Sequence, residues 1–209
     1  MDTLSALLDA YPARGNLDVQ CQWSGRWAHL HRAEAPGSVR FHAIVQGSVH
    51  LQLSGEPAIA LSAGDIVVLP SGDEHLLAAR SGDWSAPPPA AARSHAVLAW
   101  RTDGQAEPGL DMLCGRIDFG AGAATLLAAL PRLLHLPGET GLPPAALAPL
   151  VALLRSEVQA AAPGARNVVG QLSSALFVLA LRRWWQQPGV AHGVFGLLRE
   201  PRLRPVAVA

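Results

Sequence analysis

Three residues of this chain have the chemistry to hold a metal together: His42, His75 and Cys114. Two imidazoles and a thiolate are three of the four donors that a tetrahedral zinc takes, and Asp73, Glu74 or a water molecule can complete the set. A set containing sulfur is soft, and points to zinc rather than iron or manganese. The competing reading is two hydrogen-bonded imidazoles beside a small buried thiol. Both readings require remote segments to bring these side chains to one point.

The segment that delivers His75 is the most informative. In Gly64-Asp65-Ile66-Val67-Val68-Leu69-Pro70-Ser71-Gly72-Asp73-Glu74-His75, an apolar strand is entered through a Gly-Asp turn and left through a Pro-x-Gly turn. Gly64 and Gly72 suit positions of positive φ. Pro70 fixes one φ and withholds an N–H from the ladder. Asp65 is expected to cap its turn, and Glu74 to be solvated; an acid–base pair of the two carboxylates is the less economical reading.

The surrounding elements follow from hydropathy spacing. Leu4, Leu7 and Leu8 predict a short amphipathic helix over 3–10. From 17 to 119, short apolar runs broken by Gly, Ser, Asp and Pro predict many strands. These cover Val19 to Trp23, Trp27 to His31, Arg40 to Val45, Val49 to Leu53, Ile59 to Leu61, Ile66 to Leu69, His95 to Trp100 and Met112 to Ile117. Such a series makes a sandwich or barrel. Ser81 to Arg93, with Pro87-Pro88-Pro89, predicts a surface loop, and Thr102 to Gly109 a second. Beyond 120 no strand is expected. Helices are predicted over Ala124 to Leu134, over about Pro144 to Ala161 and from an Asn167 N-cap to about Gln186. The chain thus divides into a barrel with a short N-terminal helix, 1–120, and a helical tail, 121–209, of the same domain.

Composition narrows the function. Sixteen basic and sixteen acidic residues balance, so no basic footprint for nucleic acid is visible. Every basic residue is Arg and none is Lys, which reads as a GC-rich coding bias. Two cysteines cannot build a disulfide framework, and a reducing, cytoplasmic setting is expected. The N-terminus lacks the basic region of a signal peptide. The apolar stretch Val168 to Leu181 is too short and too polar to span a bilayer. No Ser-His-Asp signature, phosphate loop or nucleotide fingerprint is present.

The run from Gly64 to His75 resembles the second motif of the cupin superfamily, Gly-x5-Pro-x-Gly-x2-His, at all four defining positions. The first cupin motif is partly present in Phe41-His42-Ala43-Ile44-Val45-Gln46-Gly47, where Ile44 takes the place of a second His and Gln46 that of a Glu. The layout is similar to the N-terminal cupin domain of AraC-type transcription regulators. Gly25-Arg26-Trp27-Ala28, Leu113 to Phe119 and the linker-like Leu197 to Leu203 extend the likeness.

The resemblance implies a cupin jelly-roll barrel followed by a C-terminal helical segment. It also implies an effector-sensing and dimerisation function, with DNA read by a helix-turn-helix domain outside this chain and no membrane partner. A small-molecule effector in the barrel would meet His42, Ile44, Trp27 and Trp100. A homodimer through the helical tail is expected, although the stripe Leu147, Leu150, Leu154, Val158 could equally bury against Leu172, Leu176 and Leu179 of the same chain. The alternative is a metal-dependent cupin enzyme, a dioxygenase or isomerase, which the missing His and Glu disfavour. His29 and His31 read as a polar strand face, His50 as a surface or lumen residue, and Cys21 as core. His95, His135 and His192 show no partner pattern. Trp184-Trp185 ends the third helix as either an interface or a core contact.

Overall fold

The structure is a computed structural model that describes residues 3–88, 92–94, 97–103, 105, 107–138 and 147–187. Helix α1 (Thr3–Ala10) leads into β1 (Arg14–Trp23), β2 (Ala28–His31) and β3 (Ser38–Leu53). Strands β4 (Ile59–Ser62), β5 (Ile66–Leu69), β6 (His75–Ala78), β7 (Ala92–Ser94), β8 (Ala99–Thr102) and β9 (Leu110–Asp118) follow. After a short turn come α2 (Ala124–Ala128), β10 (Leu134–Leu136), α3 (Leu147–Ala160) and α4 (Ala165–Gln186). The sheet is a curled barrel wall with helices after it, as expected from the strand spacing.

Strand β3 organises the barrel. Its first half pairs with β5 and β9, and its second half with β4 and β6. The sheet runs β10-β5-β3-β9-β1-β8-β7, and β2 joins through β6. The two strands predicted around Gln46-Gly47-Ser48 are therefore one. The punctuation there marks a register shift between Ile44 and Gln46 and a Gly47 at φ 80°, which bend a continuous strand instead of reversing it.

Alternation along the strands sorts two cores. Cys21, Trp23, Trp27, Ile44, Val49, Leu51, Val67, Leu69, Met112 and Cys114 point into the lumen. Leu17, Val39, Phe41, Ala43, Leu113 and Ile117 point outward, where Leu147, Leu154, Val158, Leu176, Phe177 and Trp184 cover them. The stripe on α3 is thus spent within the chain, and Trp184 with its half-buried neighbour Trp185 packs on the same core. Among the described residues of these helices, the exposed large apolar side chains are Leu153 and Val168, at 46% and 41%.

Three tail expectations need correction. The helix predicted over Ala124 to Leu134 stops at Ala128, before Pro131, and the chain re-enters the sheet as β10 on β5. A three-residue strand, Leu134-His135-Leu136, is too short for its alternation to register in a sequence. Helix α4 begins at Ala165, with Gly164 as its N-cap at φ 86°, so Asn167 lies inside it. Pro149 occupies the first turn of α3, where its missing N–H costs nothing. His95, His192, Pro143, Pro144 and Leu197 to Leu203 lie outside the described residues.

Candidate metal centre

The Gly-x5-Pro-x-Gly-x2-His run folds as its chemistry requires. Gly64 and Gly72 adopt φ 92° and 61°. Asp65 accepts hydrogen bonds from the Ser62 and Gly138 amides at 3.0 and 2.8 Å and from His135 at 3.1 Å. Burial pushes its carboxyl up, but the two amides and His135 together outweigh burial and hold it below the usual carboxylate range. Asp65 therefore fastens the turn and, through His135, strand β10. Outside the barrel, Arg132 clamps the same loop by bonding Asp73 and Glu56, each at 3.0 Å.

His75 opens β6 and turns into the lumen, 2% exposed. His42 reaches it from β3, fully buried, and the two Nε2 atoms lie 2.8 Å apart. His31, paired with His75 across β2 and β6, stacks on it with ring centroids 4.8 Å apart and planes 3° apart. One ligand atom from each of the three lies within 4.8 Å of the others. The Nε2 of His31 is buried with no hydrogen-bond partner, the kind of orphan that a metal ion would satisfy.

The hydrogen-bond pattern fixes the tautomers. His75 Nδ1 faces the Asp73 carbonyl at 2.8 Å, so it carries the proton and its Nε2 is a lone pair. His42 Nε2 must then donate to His75 Nε2. That leaves His42 Nδ1 as the acceptor for the Cys114 thiol, 3.0 Å away. Cys21 hydrogen-bonds to Cys114 in turn, and burial pushes the Cys21 thiol well up. A relay of polarised groups thus runs from Cys21 through Cys114, His42 and His75 to a main-chain carbonyl.

Cys114 therefore does not join the imidazole nitrogens as the expected third ligand. It sits behind His42, on the ring nitrogen that faces away from His75, in the outer position that orients a ligating imidazole. The third donor within reach is His31. The His-x-His spacing of β2 reads as a polar strand face in the sequence, and the structure turns both imidazoles into the lumen. Leu30 between them is 45% exposed, and the pairing of β2 with β6 sends both imidazoles inward.

The electrostatics favour neutral, metal-ready imidazoles. Burial lowers His31 and His42 well below the ordinary range, and each is lowered further by its neighbouring histidines. Burial brings His75 down to about 4, against a smaller upward pull from the Asp73 carbonyl. His29 falls to about 4 through burial and then through Arg101, whose Nη1 donates to its Nε2 at 3.2 Å. Nearby, Arg40 and Arg116 share Asp18 and Glu34, with Arg40 to Asp18 at 2.8 Å and Arg116 to Asp18 at 3.1 Å. The positive charge of Arg40 adds a further downward push on His31, His42 and His75.

Of the residues expected to meet an effector, His42, Ile44 and Trp27 lie in or beside the lumen, buried to 3% exposure or less. Trp27 packs edge-on against Trp23, centroids 4.6 Å apart. Trp100 does not join them. It lies on the opposite face of β8, 37% exposed, and its indole donates to Gln22. Its neighbour Arg101 takes the inward position beside Cys21. His50 faces away from the lumen between Val49 and Leu51.

A family model described as "Cupin" matches residues 2–186. An HTH-type transcriptional regulator of Haemophilus influenzae is 30% identical over 209 residues, which is 100% of this chain and 68% of that protein. The RCS-specific HTH-type transcriptional activator RclR of Escherichia coli is 27% identical over 99% of this chain and 64% of its own length. The chain thus spans about two thirds of the length of these curated relatives. Among solved structures, apo ToxT of Vibrio cholerae aligns with a TM-score of 0.44 at 10% identity, covering 89% of this chain and 62% of that one. No helix among the described residues is long and apolar enough to cross a membrane.

Proposed function

The chain belongs to the cupin family, matching the N-terminal cupin part of AraC-type regulators, and from that premise we propose that it is the non-catalytic, effector-sensing and dimerisation domain of such a regulator. DNA is read by a separate helix-turn-helix domain. The sensing centre is the lumenal cluster of His31, His42 and His75, and the metal it takes is zinc. The observation that carries this reading is the buried, unpartnered Nε2 of His31 beside two further imidazole nitrogens. Zinc is a common partner of neutral imidazole nitrogens and needs no redox role.

His31, His42 and His75 would hold the zinc through imidazole nitrogens, and the ion would supply a fixed positive charge without redox chemistry. His42 would have to offer Nε2 as a lone pair and carry its proton on Nδ1, the nitrogen that faces Cys114 on β9. A small-molecule effector would meet the metal beside Ile44 and Trp27.

The relatives' names favour a regulator over a metal-dependent dioxygenase or isomerase. Dimerisation falls to the helical tail, where Leu153 and Val168 are exposed apolar side chains. Zinc titration into the chelator-treated chain tests the centre, with one equivalent bound as the expected result. Failure to bind zinc would remove the metal reading, and a monomer by light scattering at micromolar concentration would remove the dimer.

A further inference from the structure

We propose a second small-molecule site outside the barrel, between the sheet and α3, that takes an apolar molecule bearing one carboxylate or sulfonate group. A cavity of about 420 Å³ lies there, within the usual range for ligand pockets. Sequence makes the space. Small residues line much of it, Ala148 and Ala152 from α3 and Ala43 and Gly64 from the sheet side, so little side chain enters the gap. Val45, Ile66 and Val151 give the cavity an apolar body.

Arg155 gives it a polar end. Its Nη2 bonds Asp111 at 2.8 Å, and Asp111 also accepts from Gln20 at 2.8 Å and from Gln22 at 3.2 Å. The carboxylate is thus well supplied with donors, and the guanidinium is pinned at one end. The Arg155 Nε–H is buried and has no acceptor. Such a donor is costly to leave unmade, and an oxygen of a bound ligand would satisfy it. At the far end, the Asp65 carboxylate is already bonded to the Ser62 and Gly138 amides and to His135, and it offers no donor. The unmade donor lies at Arg155, so the cleft orients its occupant with an oxygen of the anionic group on Arg155 Nε.

The site does not depend on the lumenal metal; the sensing reading enters only in naming the occupant an effector. Because α3 is one wall and Arg155 ties that wall to β9, occupancy would act on the same helix that carries Leu153.

The test uses 1-anilinonaphthalene-8-sulfonate, an apolar sulfonate, titrated into the full 209-residue chain by fluorescence. Saturable binding at one site is expected, at the same affinity with and without zinc. Arg155→Met should weaken it at least tenfold, and Ala152→Phe should abolish it. Should Ala152→Phe fail to fold, Ala148→Leu narrows the same cleft and is judged in its place. Absent saturable binding to the wild-type chain, undiminished binding to the filled variant, or displacement by zinc would each overturn the proposal. Zinc stoichiometry measured on the same samples reports separately on the lumenal centre.

Discussion

His42 has its two ring nitrogens committed to different partners, and in the proposed zinc centre this separates a ligand from the group that orients it. His31, His42 and His75 offer nitrogens toward one point, whereas Cys114 holds the back of His42. Replacing His31 by Ala should lower zinc affinity below stoichiometric binding, whereas Cys114→Ser should keep one equivalent and lose about 10–100-fold in affinity, as outer partners of ligating imidazoles do. Chelator competition measures both, and the opposite ranking would restore the thiol as a ligand.

Acid should also destabilise the metal-free domain. His75 sits near 4 in the fold against 6.5 in an unfolded chain. Between these values the unfolded state binds the extra proton, so stability rises with pH across the window. It is fully present above about 6.5 and is lost as pH falls toward about 4, by an amount on the order of 3 kcal/mol for this residue. Denaturant unfolding of the chelator-treated chain from pH 8 to 4 checks this. A flat profile, unchanged by His75→Gln, would contradict the buried neutral imidazole.

At the scale of elements, β1 and α4 meet at Gly15. A side chain there would strike the Ser174 and Gly170 backbone of α4, and the Ser174 hydroxyl accepts the Gly15 N–H at 2.8 Å. Gly15→Ala should therefore destabilise the domain by about 1–3 kcal/mol, the usual penalty of overpacking. Gly122→Ala, with open space around it, should change stability by less than about 0.5 kcal/mol. Denaturation midpoints distinguish the two, and equal losses would mean that α4 is not docked on β1.

The elements also show what was legible in the sequence. The turn chemistry of Gly64, Pro70 and Gly72 encodes its own geometry, so the strand and the delivery of His75 could be read directly. The bend in β3 could not, because Gln46-Gly47-Ser48 reads alike as a turn or a bulge until a partner strand fixes the register. Strand β10 and the inward turn of His31 depend on pairing with β5 and β6, remote in sequence, which no local periodicity reports.

At the scale of the whole molecule, two cores share one wall. The same strands that carry Cys21, His42 and Cys114 inward carry Gln20, Phe41 and Leu113 outward onto the helices. A change at the lumenal centre is therefore one peptide unit away from the helical layer. If that layer also forms the dimer, Leu153→Glu with Val168→Glu should yield a monomer with unchanged zinc binding. A persistent dimer would move the interface elsewhere.

X-ray absorption at the zinc edge tests the centre most directly. The zinc-loaded chain should show nitrogen scatterers at about 2.0–2.1 Å fitted by three imidazoles and no sulfur shell. A sulfur shell at about 2.3 Å would contradict the assignment of His31 over Cys114.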